Sequence, residues 1–303
     1  MMRGEYAGLN AISSLCPDLC PRALAWGPID DRKRQWFLAT EFLQMGGYSR
    51  SEGTSLAERL AKLHSTPAPP APRHTGARAP GGGETVVNFA EAGDGPEDER
   101  QYGFPVPTYC GDTRQPNEFR RSWADFFSDQ RLMMILKESE SRNGKDAALR
   151  EAVERTVEEV VPRLLGDDHL GYDKDGNGDG IFPVVIHGDL WAGNASWGKI
   201  LRTREDYEDD GKGCAVVYDC SACYAHNEFE LGIMKMFGGF GKSFYEPYHK
   251  IVPKTEPVEE YDDRILLYEL YHRLNHHAIF GAGYRSGAMS AMKTLIKKYG
   301  SGK

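Results

Sequence analysis

The residues best suited to chemistry lie in one short run, His187-Gly-Asp189-Leu-Trp-Ala-Gly-Asn194, in which an aspartate precedes an asparagine directly after an apolar segment of β type. Phosphoryl transfer requires such a pair. A carboxylate must accept the proton of the attacking hydroxyl, and a hard oxygen ligand must hold the divalent cation that neutralises the phosphate charge, both on one loop. Asp219 closes the next apolar run, Cys214-Ala-Val-Val-Tyr-Asp219, where a second metal-holding carboxylate is expected. Singly, each of the three is an ordinary turn or strand-end residue. Together, each following its own β run, they predict Asp189 as the proton acceptor and Asn194 and Asp219 as ligands of Mg2+.

The elements that must position these residues are also readable. The two β runs, 182–190 and 214–220, bracket a polar middle. Upstream, Leu9, Ile12 and Leu15 recur at helical spacing within 3–16, and Pro17 stops the run. Two apolar runs, 23–27 and 36–43, separated by polar, turn-prone residues, predict a β-hairpin. A helix over 54–65 places Leu56, Leu60 and Leu63 on one face. Residues 67–100, rich in Pro, Gly, Ala and acidic side chains without periodicity, predict a mobile connection. Helical patterns follow over 117–138, 146–165 and 262–280, the last ending at Gly281. The order is helix and hairpin, then a helical body that carries the small β element with the polar residues.

Composition narrows the partners. The chain has 303 residues, 45 acidic against 37 basic, and a formal charge of −8. It therefore offers no broad basic field for nucleic acid or an anionic membrane. No run is apolar enough to span a bilayer and no signal peptide is visible, so the default expectation is cytoplasmic. The six cysteines lack a disulfide-framework spacing and are read as thiols. Other patterns fail on inspection. Gly238–Ser243 lacks the first glycine of a Walker A loop, which would fall on Met236. Asp173–Asp179 imitates the start of an EF-hand loop whose twelfth position is Val184 rather than glutamate. Cys220-x-x-Cys223 has no partner pair for zinc.

The motif HGDLWAGN, followed by YDCSACYAHNEFELG and MFGGF, resembles the fructosamine kinase and ketosamine 3-kinase family, a branch of the aminoglycoside phosphotransferase-like kinases. The resemblance extends through GEYAGLNAI, LAERLAKLHS, QYGFPVPTYCGDTRQPNEF and LYELYHRLNHHAIFG. It implies an α+β, protein kinase-like bilobal fold: a truncated N-lobe over 1–46 (helix, hairpin, hinge) and a mainly helical C-lobe over 47–303. The implied activity is ATP-dependent phosphorylation of the C3 hydroxyl of ribulosamine or fructosamine adducts on protein lysines, which promotes deglycation. The implied cofactors are ATP and Mg2+, and the implied partners are glycated proteins or ketoamine-lysine compounds.

By position in the family pattern, Asp189 is the catalytic base and Asn194 and Asp219 hold the metal. The backbone of Glu41 and Leu43 in Thr40-Glu41-Phe42-Leu43 matches the adenine-binding hinge. Trp191, His226 and Glu228 fall at positions expected to contact substrate. In the family a glycine-rich turn and a lysine-bearing strand precede the helix that GEYAGLNAI resembles, and Glu5 matches that lysine's partner. This sequence begins at the helix, so the expectation is an N-lobe without those strands and an uncovered apolar face on helix 3–16. A pseudokinase or binding module, and a kinase of aminoglycosides or small alcohols, remain the alternative readings.

Overall fold

The computed structural model describes residues 1–30, 35–46, 54–72, 100–208 and 213–301. Helix α1 (Met2–Leu15) occupies the first expected helical span. Its apolar face is covered, contrary to expectation: Ile12 is fully buried and Leu9 nearly so. Packing with the strands Ala23–Asp30 and Thr108–Cys110 and with the segment after Asp219 supplies that cover, and Gly8 faces the Cys220 sulfur and Ala222.

Strands β1 (Ala23–Asp30) and β2 (Gln35–Thr40) pair antiparallel as the predicted hairpin. Leu24, Ile29, Trp36 and Phe37 on it stay exposed. The second apolar run is not one strand. It breaks at buried Glu41, and β3 (Phe42–Met45) leaves the hairpin to pair with β7 (Ala195–Leu201). The cause is local: the Glu41 carboxylate is drawn inward by the Arg22 N–H at 3.0 Å and the Arg202 guanidinium at 2.9 Å. Strand β7 runs through the supposed polar middle and also pairs with β8 (Cys214–Val217), giving the three-stranded order β3-β7-β8.

Helix α2 (Leu56–His64) starts at a capping box in which Ser55 and Glu58 satisfy each other's backbone N–H groups. Of the expected connection, residues 73–99 lie outside the described residues. At its start Ala68 N–H donates to the Pro183 carbonyl at 2.8 Å. Strands β4 (Thr108–Cys110) and β5 (Thr113–Gln115) then form a small hairpin that the sequence did not announce.

The helix expected from 117 begins later, with α3 (Trp123–Phe127) capped by Ser122. Asn117 cannot join it, because its backbone is left-handed (φ 62°) and its side chain donates to the Thr108 hydroxyl at 2.7 Å. A π-helical turn, Ser128–Met133, leads into α4 (Met134–Asn143). Helix α5 (Ala147–Arg155), a second π turn and α6 (Val161–Leu165) together fill the 146–165 pattern. Strand β6 (Val184–Ile186) precedes the 187–194 run and pairs antiparallel with β9 (Cys223–Ala225). Short α7 (Arg204–Glu208) follows β7. The chain finishes with α8 (Asn227–Phe237), α9 (Lys242–Ile251), α10 (Tyr261–Phe280) and α11 (Arg285–Tyr299).

The core is centred on aromatic side chains of α3, α8 and α10. Trp123, Phe126, Phe127, Phe229, Tyr268 and Tyr271 are buried, and the Trp123 indole N–H donates to the Tyr268 hydroxyl at 2.8 Å. Each fully buried ring of this size stabilises the fold by about 1.5–3 kcal/mol through water exclusion. The result is a mixed α and β chain in which small antiparallel sheets ride on a helical body. Among the described residues no helix is long and apolar enough to cross a membrane.

Candidate active site

The site starts where β6 ends. Gly188 turns the chain at φ 81°, and a Cβ there would lie 2.2 Å from the Ser221 carbonyl oxygen, so this position requires glycine. The turn is anchored from below by the carboxylate of Glu230 on α8, which accepts the N–H groups of His187 and, at 3.0 Å, of Gly188. Glu230, although in the first turn of α8, thus holds the loop that follows β6. Burial pushes the Glu230 carboxyl up to about 8 against the pull of those N–H donors.

His187 braces the loop sideways. Its Nε2–H donates to the Tyr218 carbonyl at 2.9 Å and its Nδ1 accepts the Asp189 N–H at 3.3 Å. Burial lowers its pKa to about 4, which keeps the ring neutral in the tautomer both bonds require.

The single helical turn Ala192–Asn194 folds Asn194 back onto the aspartate. The Asn194 amide NH2 group donates to the Asp189 carbonyl at 2.9 Å and lies 3.4 Å from both an Asp189 carboxylate oxygen and the Asp219 carbonyl. With the NH2 committed to the protein, the amide oxygen is the atom suited to a cation. Asp219 is exposed and held at φ 60°, an uncommon conformation for a residue other than glycine. Backbone bonds tie the two loops together: Ser221 N–H donates to the His187 carbonyl at 2.8 Å. The structure thus brings Asp189, Asn194 and Asp219 together.

The electrostatics suit a site that receives a cation. Burial, and then repulsion from Asp219, raise the Asp189 carboxyl to about 7. Burial and the same Asp219 charge raise Glu5 on α1. Among the described residues no three His, Cys, Asp or Glu side chains cluster as a metal cage. The Asp219 carboxylate and the Asn194 amide oxygen nevertheless suit Mg2+, which takes few protein ligands and completes its shell with water and phosphate oxygens.

Other expected residues fall elsewhere. Glu41 points its carboxylate into the protein, so any contact with a nucleotide would be through main chain, as would that of Leu43 in the β3–β7 pairing. Trp191 is exposed beside the loop, its six-membered ring lying over Gly193, where a Cβ would come within 2.1 Å of the ring.

His226 and Glu228 are not brought to the loop. His226 is buried between the Tyr268 hydroxyl and the Thr255 hydroxyl, each at 2.8 Å. Glu228 forms an ion pair with Arg264 at 2.7 Å, both side chains fully buried. Their polar atoms are consumed inside the protein, so this pair fastens the start of α8 and the substrate role expected of it is withdrawn. Sequence reading missed Cys110, whose buried sulfur lies 3.8 Å from Asp189 Oδ1 and receives the Asn275 amide at 3.3 Å. It also missed Gln115, which accepts from Ser221 Oγ at 2.6 Å and donates to the Tyr271 hydroxyl at 2.7 Å.

An acceptor carboxylate, an amide oxygen and a second carboxylate on two tied loops define a phosphotransferase type of site. The fructosamine kinase family model matches residues 1–73 and 87–298, and this chain belongs to that family. It is 33% identical to the mouse ketosamine-3-kinase over 98% of this chain and 84% of that protein. It is 31% identical to the chloroplastic protein-ribulosamine 3-kinase of Oryza sativa subsp. japonica, over 98% of this chain and 69% of the relative. In fold it is similar to a protein of Thermobifida fusca assigned as a fructosamine-3-kinase, with a TM-score of 0.68, 22% identity, and coverage of 97% of this chain and 80% of that one.

Proposed function

We propose that this protein is an ATP-dependent ketosamine 3-kinase that phosphorylates the sugar C3 hydroxyl of ribulosamine or fructosamine adducts on lysine. Residues 1–46 are read as belonging to a small lobe and 47–303 to the large one, with ATP in the cleft between them and adenine against the backbone of Glu41 and Leu43. The observation that carries the proposal is the convergence of Asp189, Asn194 and Asp219 on one loop pair in a chain of this family.

In this reading Asp189 takes the proton of the C3 hydroxyl as the sugar oxygen forms its bond to the γ-phosphorus and the bond to the ADP oxygen breaks. Asn194 and Asp219 would hold Mg2+, which would supply charge neutralisation on the phosphate oxygens. Trp191 offers an aromatic face for the sugar-amine, whose protonated nitrogen suits a cation–π contact. The 3-phosphate destabilises the adduct and frees the lysine.

The test is mass spectrometry of ribulosyl-lysine and fructosyl-lysine peptides after incubation with the protein and Mg·ATP. Phosphate on either peptide is the expected result. Absence of transfer to both would overturn the proposal.

A further inference from the structure

From Trp191 a row of aromatic rings continues away from the catalytic loop. The Trp191 ring lies 5.9 Å from Phe237 at the end of α8, and Phe237 lies 5.0 Å from His276 on α10. His276 in turn lies 5.6 Å from Phe280 and 5.0 Å from Tyr284, and these two rings are 6.2 Å apart. Five rings from four segments thus form one continuous surface.

It is not core. Trp191, Phe237 and Phe280 are 42%, 41% and 66% exposed, unlike the buried rings packed around Trp123. His276 belongs to the row as a neutral ring: its Nδ1–H donates to the His272 carbonyl at 2.8 Å, and burial lowers its pKa. The end of α10 that presents the row is fixed, because Asn143 donates to the His277 carbonyl at 2.8 Å. An exposed apolar surface on a rigid base is characteristic of a binding site.

We propose that this row is the docking track for the carrier of the ketoamine: the alkyl stem of the modified lysine and the peptide residues flanking it. The inference rests on the function proposed above and deepens it. Continuity with the catalytic loop selects the occupant. A sugar with its C3 oxygen at Asp189 and its amine near Trp191 must send the lysine stem outward. Four methylenes are apolar and about 5 Å long, the length of one step along the row. Beyond the stem the peptide reaches Phe280 and Tyr284, where its own apolar side chains find aromatic faces. A ketoamine without such a carrier would use only the Trp191 end.

The experiment compares a lysine ketoamine within a seven-residue peptide of apolar flanking residues with the same sugar on methylamine. Binding is measured by calorimetry without ATP, and phosphate transfer separately. The variants are Phe280→Ala, Tyr284→Ala and their combination, which alter side chains outside the catalytic machinery. The double variant is expected to weaken peptide binding about tenfold, while the methylamine ketoamine keeps its affinity within about twofold. Peptide affinity unchanged in the double variant overturns the track, as does equal weakening of both ligands or no peptide binding by the wild-type protein. Peptide binding lost in the double variant, with no phosphate transfer by the wild-type protein, would sustain the track and overturn the kinase reading.

Discussion

Two acids, buried Glu228 and half-buried Asp189, show how one fold treats the same chemical group in opposite ways. Glu228 is deeper, and burial alone would favour its neutral form. His226, the Arg264 guanidinium and the Thr255 N–H outweigh that effect and hold its carboxyl below the usual range. Among the described residues no cationic side chain acts on Asp189. Burial and the Asp219 charge raise it to about 7. The first acid is neutralised within the protein and serves the fold. The second is left short of positive charge at the mouth of a loop, an arrangement that costs stability and suits a site that receives a cation and a proton.

The widest separation between the two should come from removing each acid in turn. Asp189→Ala should cut phosphate transfer by about 10³–10⁴-fold, the contribution of a positioned general base, while thermal unfolding shows a melting temperature unchanged or raised. A melting temperature that falls as far as the activity would erase the contrast. Glu228→Gln should do the reverse. It leaves Arg264 charged and buried, so denaturant unfolding should show a loss of about 3–5 kcal/mol, with turnover of the folded fraction preserved. Adding Arg264→Met should restore much of that loss, because removing both charges leaves neither unpaired.

Asp219 tests the same contrast from the metal side. Asp219→Asn keeps the shape but removes charge that would attract Mg2+, and it lifts the repulsion that raises Asp189. A rate loss of about 10²–10³-fold is expected, partly offset by excess Mg2+ in a titration of activity. A normal rate with normal Mg2+ dependence would remove Asp219 from the metal site.

The two acids also differ in how legible they were in sequence. The placement of Asp189 was readable because it is local: Asn194 folds back over five residues, and β6 and β8 set both loops at strand ends. His226 and Glu228 were misread because their partners are distant. Arg264 lies 36 positions on, and nothing near Glu228 in the chain announces that it will be neutralised. Long-range closure also hid Glu230, whose hold on Gly188 spans 42 positions. It hid β7 as well, where Ser196, Trp197 and Lys199 blur the alternation and pairing with β3 and β8 makes the strand. The helices were legible where period and cap agreed, as in α2 and α10. The 117–138 pattern overran its start because Asn117 was already bonded to β4.

The smallest expected effect belongs to Cys110, 79 positions from Asp189 and joined to it by no spacing in the sequence. Burial first, and then the Asp189 charge, push its thiol well above the ordinary value, so it stays protonated. The Asn275 amide fixes the sulfur on one side, and on the other the S–H points at Asp189 Oδ1. A donor to the charged carboxylate favours ionisation, so Cys110→Ala should move the acid limb of the kcat profile to higher pH and lower kcat about two- to fivefold, with KM for ATP unchanged. Cys110→Ser restores a donor and should return the limb toward or below its wild-type position. If alanine and serine behave alike, the thiol only fills space, and Asp189 is then oriented by His187 and Asn194 alone.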